Sequence, residues 1–155
     1  MPARPSLNGT CQEICIRKQA ERQSRIPKEW IIPSNKLPGR EVRNVIDFPL
    51  KSGLMTEREL EITEKNACVL VNDIASGSYT SVEVVTAFCL RAALAQQLVN
   101  CLTEIMFEDA IKRAAVLDEY LAKNGTTVGP LHGLPVSVKD QFNVKGYDST
   151  IGFVA

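Results

Sequence analysis

Histidine and tryptophan each occur once in this chain, at His132 and Trp30, and neither sign of charge is in excess. Lysine plus arginine (18) equals aspartate plus glutamate (18), so there is no global basic field to recruit nucleic acid or an anionic membrane. A small molecule or another protein surface is the expected partner. No run reaches the ~18 consecutive apolar residues that a membrane-spanning helix needs. Residues 1–18 lack the apolar core of a signal peptide and carry Arg4, Asn8, Gln12, Glu13 and Arg17, so an intracellular, cytoplasmic chain is expected. With a single histidine, a zinc site is short of ligands: Cys11 and Cys15 would share one helix face, but His132 is remote. No metal and no cofactor are therefore expected. Five cysteines are an odd count, which without an export signal argues for free thiols, and buried, unreactive ones at that. Asn8 and Asn124 each open an Asn-Gly-Thr triplet that matches the glycosylation pattern, and both are read as turns. Gly129, Gly133, Gly146 and Gly152 are too dispersed for a phosphate-binding loop, and no Gly-Lys-Ser/Thr triplet follows them.

What is present is an ordinary globular balance, 45% hydrophobic and 23% charged, in 155 residues, the size of one domain. Six of the eight prolines fall before residue 50, so this region cannot be one regular element. A short polar helix is readable over Gln12 to Arg25. Ile26 to Ser52 reads as an extended arm that wraps a larger body through Trp30, Ile31, Ile32, Phe48 and Leu50. The division expected is an arm over 1–55 and a folded body over 56–155.

Thr56 with Glu59, and Thr80 with Glu83, fit the capping box in which two side chains satisfy free amides at a helix start. The first predicts a helix to about Asn66, followed by another from Ala67 to Ala75 and a break at Ser76-Gly77-Ser78. The second predicts a helix from Ser81 to about Gln97. Between Val82 and Ala95 its only charges are Glu83 and Arg91, and a helix apolar on nearly every side is a buried one. So short a chain is expected to supply few neighbours for it. Glu108 to Lys123 reads as a further helix, with Ile111, Ala114, Ala115, Leu117 and Leu121 as its apolar stripe. Lys112, Arg113, Asp118 and Glu119 form its wet face, and Asn124-Gly125 its stop.

The last thirty residues change texture. After the turn-rich Gly129-Pro130-Leu131-His132-Gly133, the stretch Leu134 to Lys139 alternates with period two, as a strand does. Leu134, Val136 and Val138 would face one way, and Pro135, Ser137 and Lys139 the other. Helices followed by a strand indicate an α/β body whose sheet has barely begun. Lys139 would leave the carboxyl end of that strand, where α/β folds tend to place their sites, although a lysine there commonly just re-enters water. His132 is a weaker candidate for a general base, with no aspartate placed to orient it. Asp140 is better read as bracing the loop than as a chemical group.

The words around the lysine say more. Gly129-Pro130-Leu131-His132-Gly133-Leu134-Pro135-Val136-Ser137-Val138-Lys139-Asp140 closely resembles the lysine motif of the amidase-signature family. Gln141 to Gly146, Thr150-Ile151-Gly152, Asp118 to Leu121 and Asn100 to Glu104 continue the likeness, which runs from about Ile26 to Ala155 and looks nearest to fungal acetamidases. The resemblance implies the amino-terminal, helical part of a fold with a mixed sheet covered by helices. It implies a hydrolase that cleaves the C–N bond of carboxamides to carboxylate and ammonia. In that family a neutral lysine takes a proton from a bridging serine held by a cis peptide. That serine in turn takes one from the nucleophilic serine, which forms an acyl-enzyme. Lys139 alone carries over; Ser137 shares its strand face but not the bridging position. The family's Gly- and Ser-rich stretch with both serines lies further along than Ala155, so these 155 residues alone are expected to be inactive. A lysine must fall from a pKa near ~10.4 to about 7 or 8 to act as a base, roughly 4 kcal/mol against the ammonium, and that needs a dry pocket. The alternatives left open are a catalytically inactive remnant that docks on a full-length amidase, and an independent helical binding module.

Overall fold

The computed structural model describes residues 9–39 and 41–153, and its regular elements are helices. α1 spans Cys11–Ser24, α2 Phe48–Lys51, α3 Glu57–Glu64, α4 Ala67–Ala75, α5 Ser81–Val99 and α6 Phe107–Asn124. Both sequence-read capping boxes form: Thr56 Oγ1 and Thr80 Oγ1 accept the amides of Glu59 and Glu83, whose carboxylates reach back to the threonine amides. A third box, Thr10 with Glu13, starts α1. Gly125 takes a left-handed conformation (φ 66°) that ends α6 where the Asn-Gly pair predicts it. Asn8 lies outside the described residues.

α5 is the axis of the molecule, and the apolar residues spread around it are used on three sides. Val85, Cys89 and Ala93 pack with Ile26, Ile105, Phe107 and Ala114. Val84 and Ala87 pack with Ile62, Leu70, Ile74 and Tyr79. Leu90 and Leu94 pack with Ile32 and Met55. The short chain therefore supplies this helix with more neighbours than its length suggests, while a groove along Phe88 and Ala92 stays open. By length and composition alone α5 could cross a membrane; here it is a core helix with three hydrophobic clusters against it.

The segment 26–52 is not uniformly extended. Two 3-10 turns, Lys28–Trp30 and Ser34–Lys36, follow Pro27 and Pro33, and the one-turn α2 carries Pro49 within its first turn, where the fixed φ suits a helix start. Ile32 is buried and Trp30 and Phe48 pack on the Leu90–Leu94 face, but Ile31 and Leu50 are 40% and 67% exposed and belong to none of the three clusters. The attachment is polar as well: Gln97 Nε2 donates to Trp30 O (2.8 Å), while Gln97 Oε1 accepts from the Ile32 amide (2.9 Å). The cysteines also depart from expectation. Cys89 alone is buried; Cys11, Cys68 and Cys101 are exposed and Cys15 is half-buried.

No strand forms among the described residues, so the expected sheet is not begun here. A strand needs a second strand to take its backbone hydrogen bonds, and Leu134 to Lys139 has none beside it. Its alternation survives only in part. Leu134 is half-buried against the Ile62–Ile74 cluster, whereas Val136 and Val138 are 69% and 50% exposed.

Candidate active site

Asp118 of α6 is not on a wet face. Half-buried, it turns toward α5, where its two carboxylate oxygens accept the amides of Ser81 (2.6 Å) and Val82 (3.0 Å). An anion at the positive end of a helix is favourable, and this one also joins α6 to α5. The loop that follows α6 is seated on the same spot. Gly133 (φ 74°) lies so close to α5 that a Cβ there would stand 2.8 Å from Ser81 Cβ. From this base the chain runs outward through Pro135 to Lys139.

Lys139 is exposed, and its Nζ donates to Gln141 Oε1 at 3.1 Å. It lines a cavity of about 260 Å³ together with Cys101, Thr103, Glu104, Asp140 and Tyr147. Opposite stands a charge network. Glu104 is held by Lys18 (3.2 Å) and Arg25 (2.8 Å), and Lys18 also meets Asp148 (2.8 Å). Partial burial works against the Lys18 ammonium, but hydrogen bonds to Asp148 and Glu104 outweigh it and hold the group above its ordinary range. The Arg25 guanidinium lies over the Tyr147 ring at 5.1 Å, and Tyr147 Oη donates to Asp109 Oδ2 at 2.6 Å. Burial and then that bond push the Tyr147 phenol up to about 12.

Asp140 braces the loop, as read from the sequence. Its backbone oxygen accepts from Ser149 Oγ (2.8 Å) and its Oδ2 from Thr150 Oγ1 (2.9 Å), and the Thr150 bond keeps the carboxyl below the usual carboxylate range. His132 is elsewhere: it is 3% exposed, its Nδ1 accepts the Val128 amide at 3.1 Å, and it does not line the cavity. Ser137 lines an adjoining, mainly apolar groove of about 530 Å³ between α5, α6 and residues 131–138, which shares Leu102, Glu104, Met106 and Val138 with that cavity. Among the described residues no group of three or more histidine, cysteine or acidic side chains could hold a metal ion. The structure thus brings Lys139 to Asp140, Cys101 and Glu104, and leaves His132 and Ser137 apart. Reading by residue missed the Lys18–Glu104–Arg25 network, in which Glu104 is 79 residues from Arg25 and no local signature joins them.

The family model Amidase matches residues 83–155. A protein of Curvularia clavata is 56% identical over 144 residues, 93% of this chain and 27% of that one. The acetamidase of Emericella nidulans is 49% identical over 144 residues, again 93% of this chain and 26% of the relative. An amidase of Gibberella moniliformis is 48% identical over 147 residues, 92% of this chain and 28% of its own length. Fatty acid amide hydrolase superposes with a TM-score of 0.85 at 35% identity, over 92% of this chain and 26% of that structure. The chain therefore spans about a quarter of the length of the relatives it matches. On these matches it belongs to the amidase-signature family.

Proposed function

We propose that this chain provides the lysine of a Ser–cisSer–Lys amidase, and that the polypeptide it belongs to hydrolyses small carboxamides to carboxylate and ammonia. The observation that carries this reading is Lys139, within its twelve-residue motif, standing at the rim of the 260 Å³ cavity. The relatives spanning the same stretch are an acetamidase and an amidase, which supports a small linear amide as substrate.

In this reading the neutral Lys139 amine takes the proton of the bridging serine, which takes that of the nucleophilic serine. The serine oxygen adds to the amide carbon, the C–N bond breaks, and nitrogen leaves with the relayed proton as ammonia. Water then hydrolyses the acyl ester by the same relay. Both serines belong to sequence beyond the 155 residues, and so do the amides that would hold the oxyanion, each worth about 3 to 4 kcal/mol in the transition state. Leu134 to Lys139 becomes a sheet strand in that longer chain, paired along the edge that is open here, and the covering protein dries the pocket around Lys139. The isolated 155 residues are inactive in this reading, because Lys139 is exposed and its relay partners are missing.

The test measures ammonia release from acetamide and benzamide by the 155-residue chain and by a form extended with its in-frame downstream sequence. The extended form is expected to turn over, and Lys139→Ala to lower its kcat by about 10²- to 10⁴-fold. Turnover by the extended form that survives Lys139→Ala refutes the assignment of the lysine. A downstream frame with no Gly- and Ser-rich stretch, and no turnover, favours an inactive remnant instead.

A further inference from the structure

We infer that His132 is a positioning residue: it latches the loop at 128–133 beneath the segment that carries Lys139, and so sets where the lysine stands. The inference rests on the lysine reading above for its catalytic meaning, but not for its geometry. His132 is buried, and its Nδ1 accepts the Val128 amide at 3.1 Å, which closes the loop on itself. An acceptor at Nδ1 fixes the neutral tautomer with its proton on Nε2. That Nε2 is buried and has no hydrogen-bond partner in the described structure, and neither has Ser81 Oγ. Both orphans lie at one junction, since Gly133 follows His132 and presses on Ser81. Burying an unpaired polar atom costs about 1 to 3 kcal/mol, so an imidazole kept here has a use that an apolar side chain would not serve.

That use follows from what lies on either side. Below the loop everything is fixed: Asp118 grips the Ser81 and Val82 amides, Gly133 lies on α5, and Leu134 enters the Ile62–Ile74 cluster. Above it Val136, Ser137, Val138 and Lys139 are all exposed, and among the described residues the chain is next tied down where the Lys139 carbonyl accepts the Phe142 amide (2.9 Å) and Asp140 meets Thr150. The direction in which residues 135–139 leave the body is therefore set by the conformation of the loop, and the side chain that fixes the loop is His132. Glycine at 133 permits both the positive φ and the close approach, and, beside the backbone bonds from His132 N to Gly129 O (3.2 Å) and from Leu134 N to Leu131 O (3.2 Å), the imidazole supplies the one side-chain bond across the turn among the described residues.

The experiment compares the wild-type chain with His132→Asn, whose Oδ1 can stand where Nδ1 does, and His132→Leu, which fills the space without an acceptor. Site-resolved amide hydrogen exchange is expected to quicken about three- to tenfold at Val128 and at 131–139 in the leucine variant, the loss of one hydrogen bond, with α5 and α6 unchanged. The asparagine variant is expected to stay within about twofold of wild type. After reductive ¹³C-methylation, the Lys139 resonance should move in the leucine variant only, while that of Lys112 stays in place. Equal exchange in wild type and leucine variant, acceleration spread over α5 and α6 alike, or an asparagine variant as loose as the leucine one overturns the latch. If the leucine variant does not fold, the ¹⁵N spectrum of the wild-type imidazole decides: a bare Nδ1 with a protonated Nε2 supports the inference, and a proton on Nδ1 overturns it. None of these readouts uses amide hydrolysis, so the latch and the lysine assignment fail independently.

Discussion

Single side chains carry the joints of this molecule. The carboxylate of Asp118 is the most consequential, because it caps the central helix from another element rather than from the residue before it. Asp118→Ala removes two charge-assisted hydrogen bonds and the anion at the helix end, which predicts a loss of about 2 to 3 kcal/mol, read as a lower urea midpoint with unchanged slope. Asp118→Asn keeps an acceptor and should lose about half as much; equal losses in both would mean that the carboxylate's charge carries the whole effect, and an asparagine variant as stable as wild type that it contributes nothing. The amphipathic pattern of α6 could not show this role. By its place among Lys112, Arg113 and Glu119 the residue reads as solvated, and only the docking of α6 on α5 reveals that its direction serves a partner 37 residues away. Lys139 stands out in the sequence for a different reason, and its role rests on the proposal above: its motif is continuous and needs no tertiary contact to be seen. His132, in that same motif, was legible as a residue but not in its role, because burial and an acceptor bond to Val128 are facts of folding.

At the scale of elements, periodicity and caps gave reliable boundaries where the signal is local. The Thr-x-x-Glu boxes placed the starts of α3 and α5, and Asn124-Gly125 placed the end of α6. The strand over Leu134 to Lys139 is the opposite case. Alternation records which faces a chain is built to present, but a ladder forms only when a neighbour supplies the other half of each hydrogen bond. The all-round apolar character of α5 was similarly correct about burial and silent about direction, since three clusters divide the helix among them. A prediction tests that division. Leu94, fully buried between Ile32 and Met55, should cost about 2 to 5 kcal/mol when changed to alanine, while Ala92, half-buried along the open groove, should tolerate Ala92→Ser within about 1 kcal/mol. Denaturant titration of both variants checks it, and comparable losses would show that the groove is as tightly packed as the core.

At the scale of the whole molecule, ionisation sets the range of pH in which the fold holds, and the groups involved act at two opposite ends. Glu13 is kept below its ordinary range by the Thr10 amide and hydroxyl, and Glu61 by Tyr79 and Lys65. Glu83 is held down by Arg58 and Asp140 by Thr150. A carboxyl depressed on folding stabilises above its unfolded pKa and loses that contribution as pH falls through the folded one, so the acid limb should begin below about pH 4. The alkaline limb has other causes. Burial pushes the Cys89 thiol up to about 11, and burial with the Asp109 bond pushes Tyr147 up to about 12. A group whose proton is held more tightly in the fold contributes fully below its unfolded pKa, and that contribution is lost as pH rises toward the folded value. For Cys89 the window opens near an ordinary thiol pKa of 9.0 and closes near 11, with roughly 2 to 3 kcal/mol at stake. Urea midpoints measured from pH 3 to 11 should therefore form a plateau with a carboxylate edge and a thiol edge. In Cys89→Ala the whole curve is lowered by the small cavity, but its decline between about pH 9 and 10 should flatten, because the thiol is the first buried group to be asked to ionise. An alanine variant that keeps the wild-type slope across that interval would move the alkaline limit to Tyr147 or to the Lys18–Glu104–Arg25 network beside the cavity.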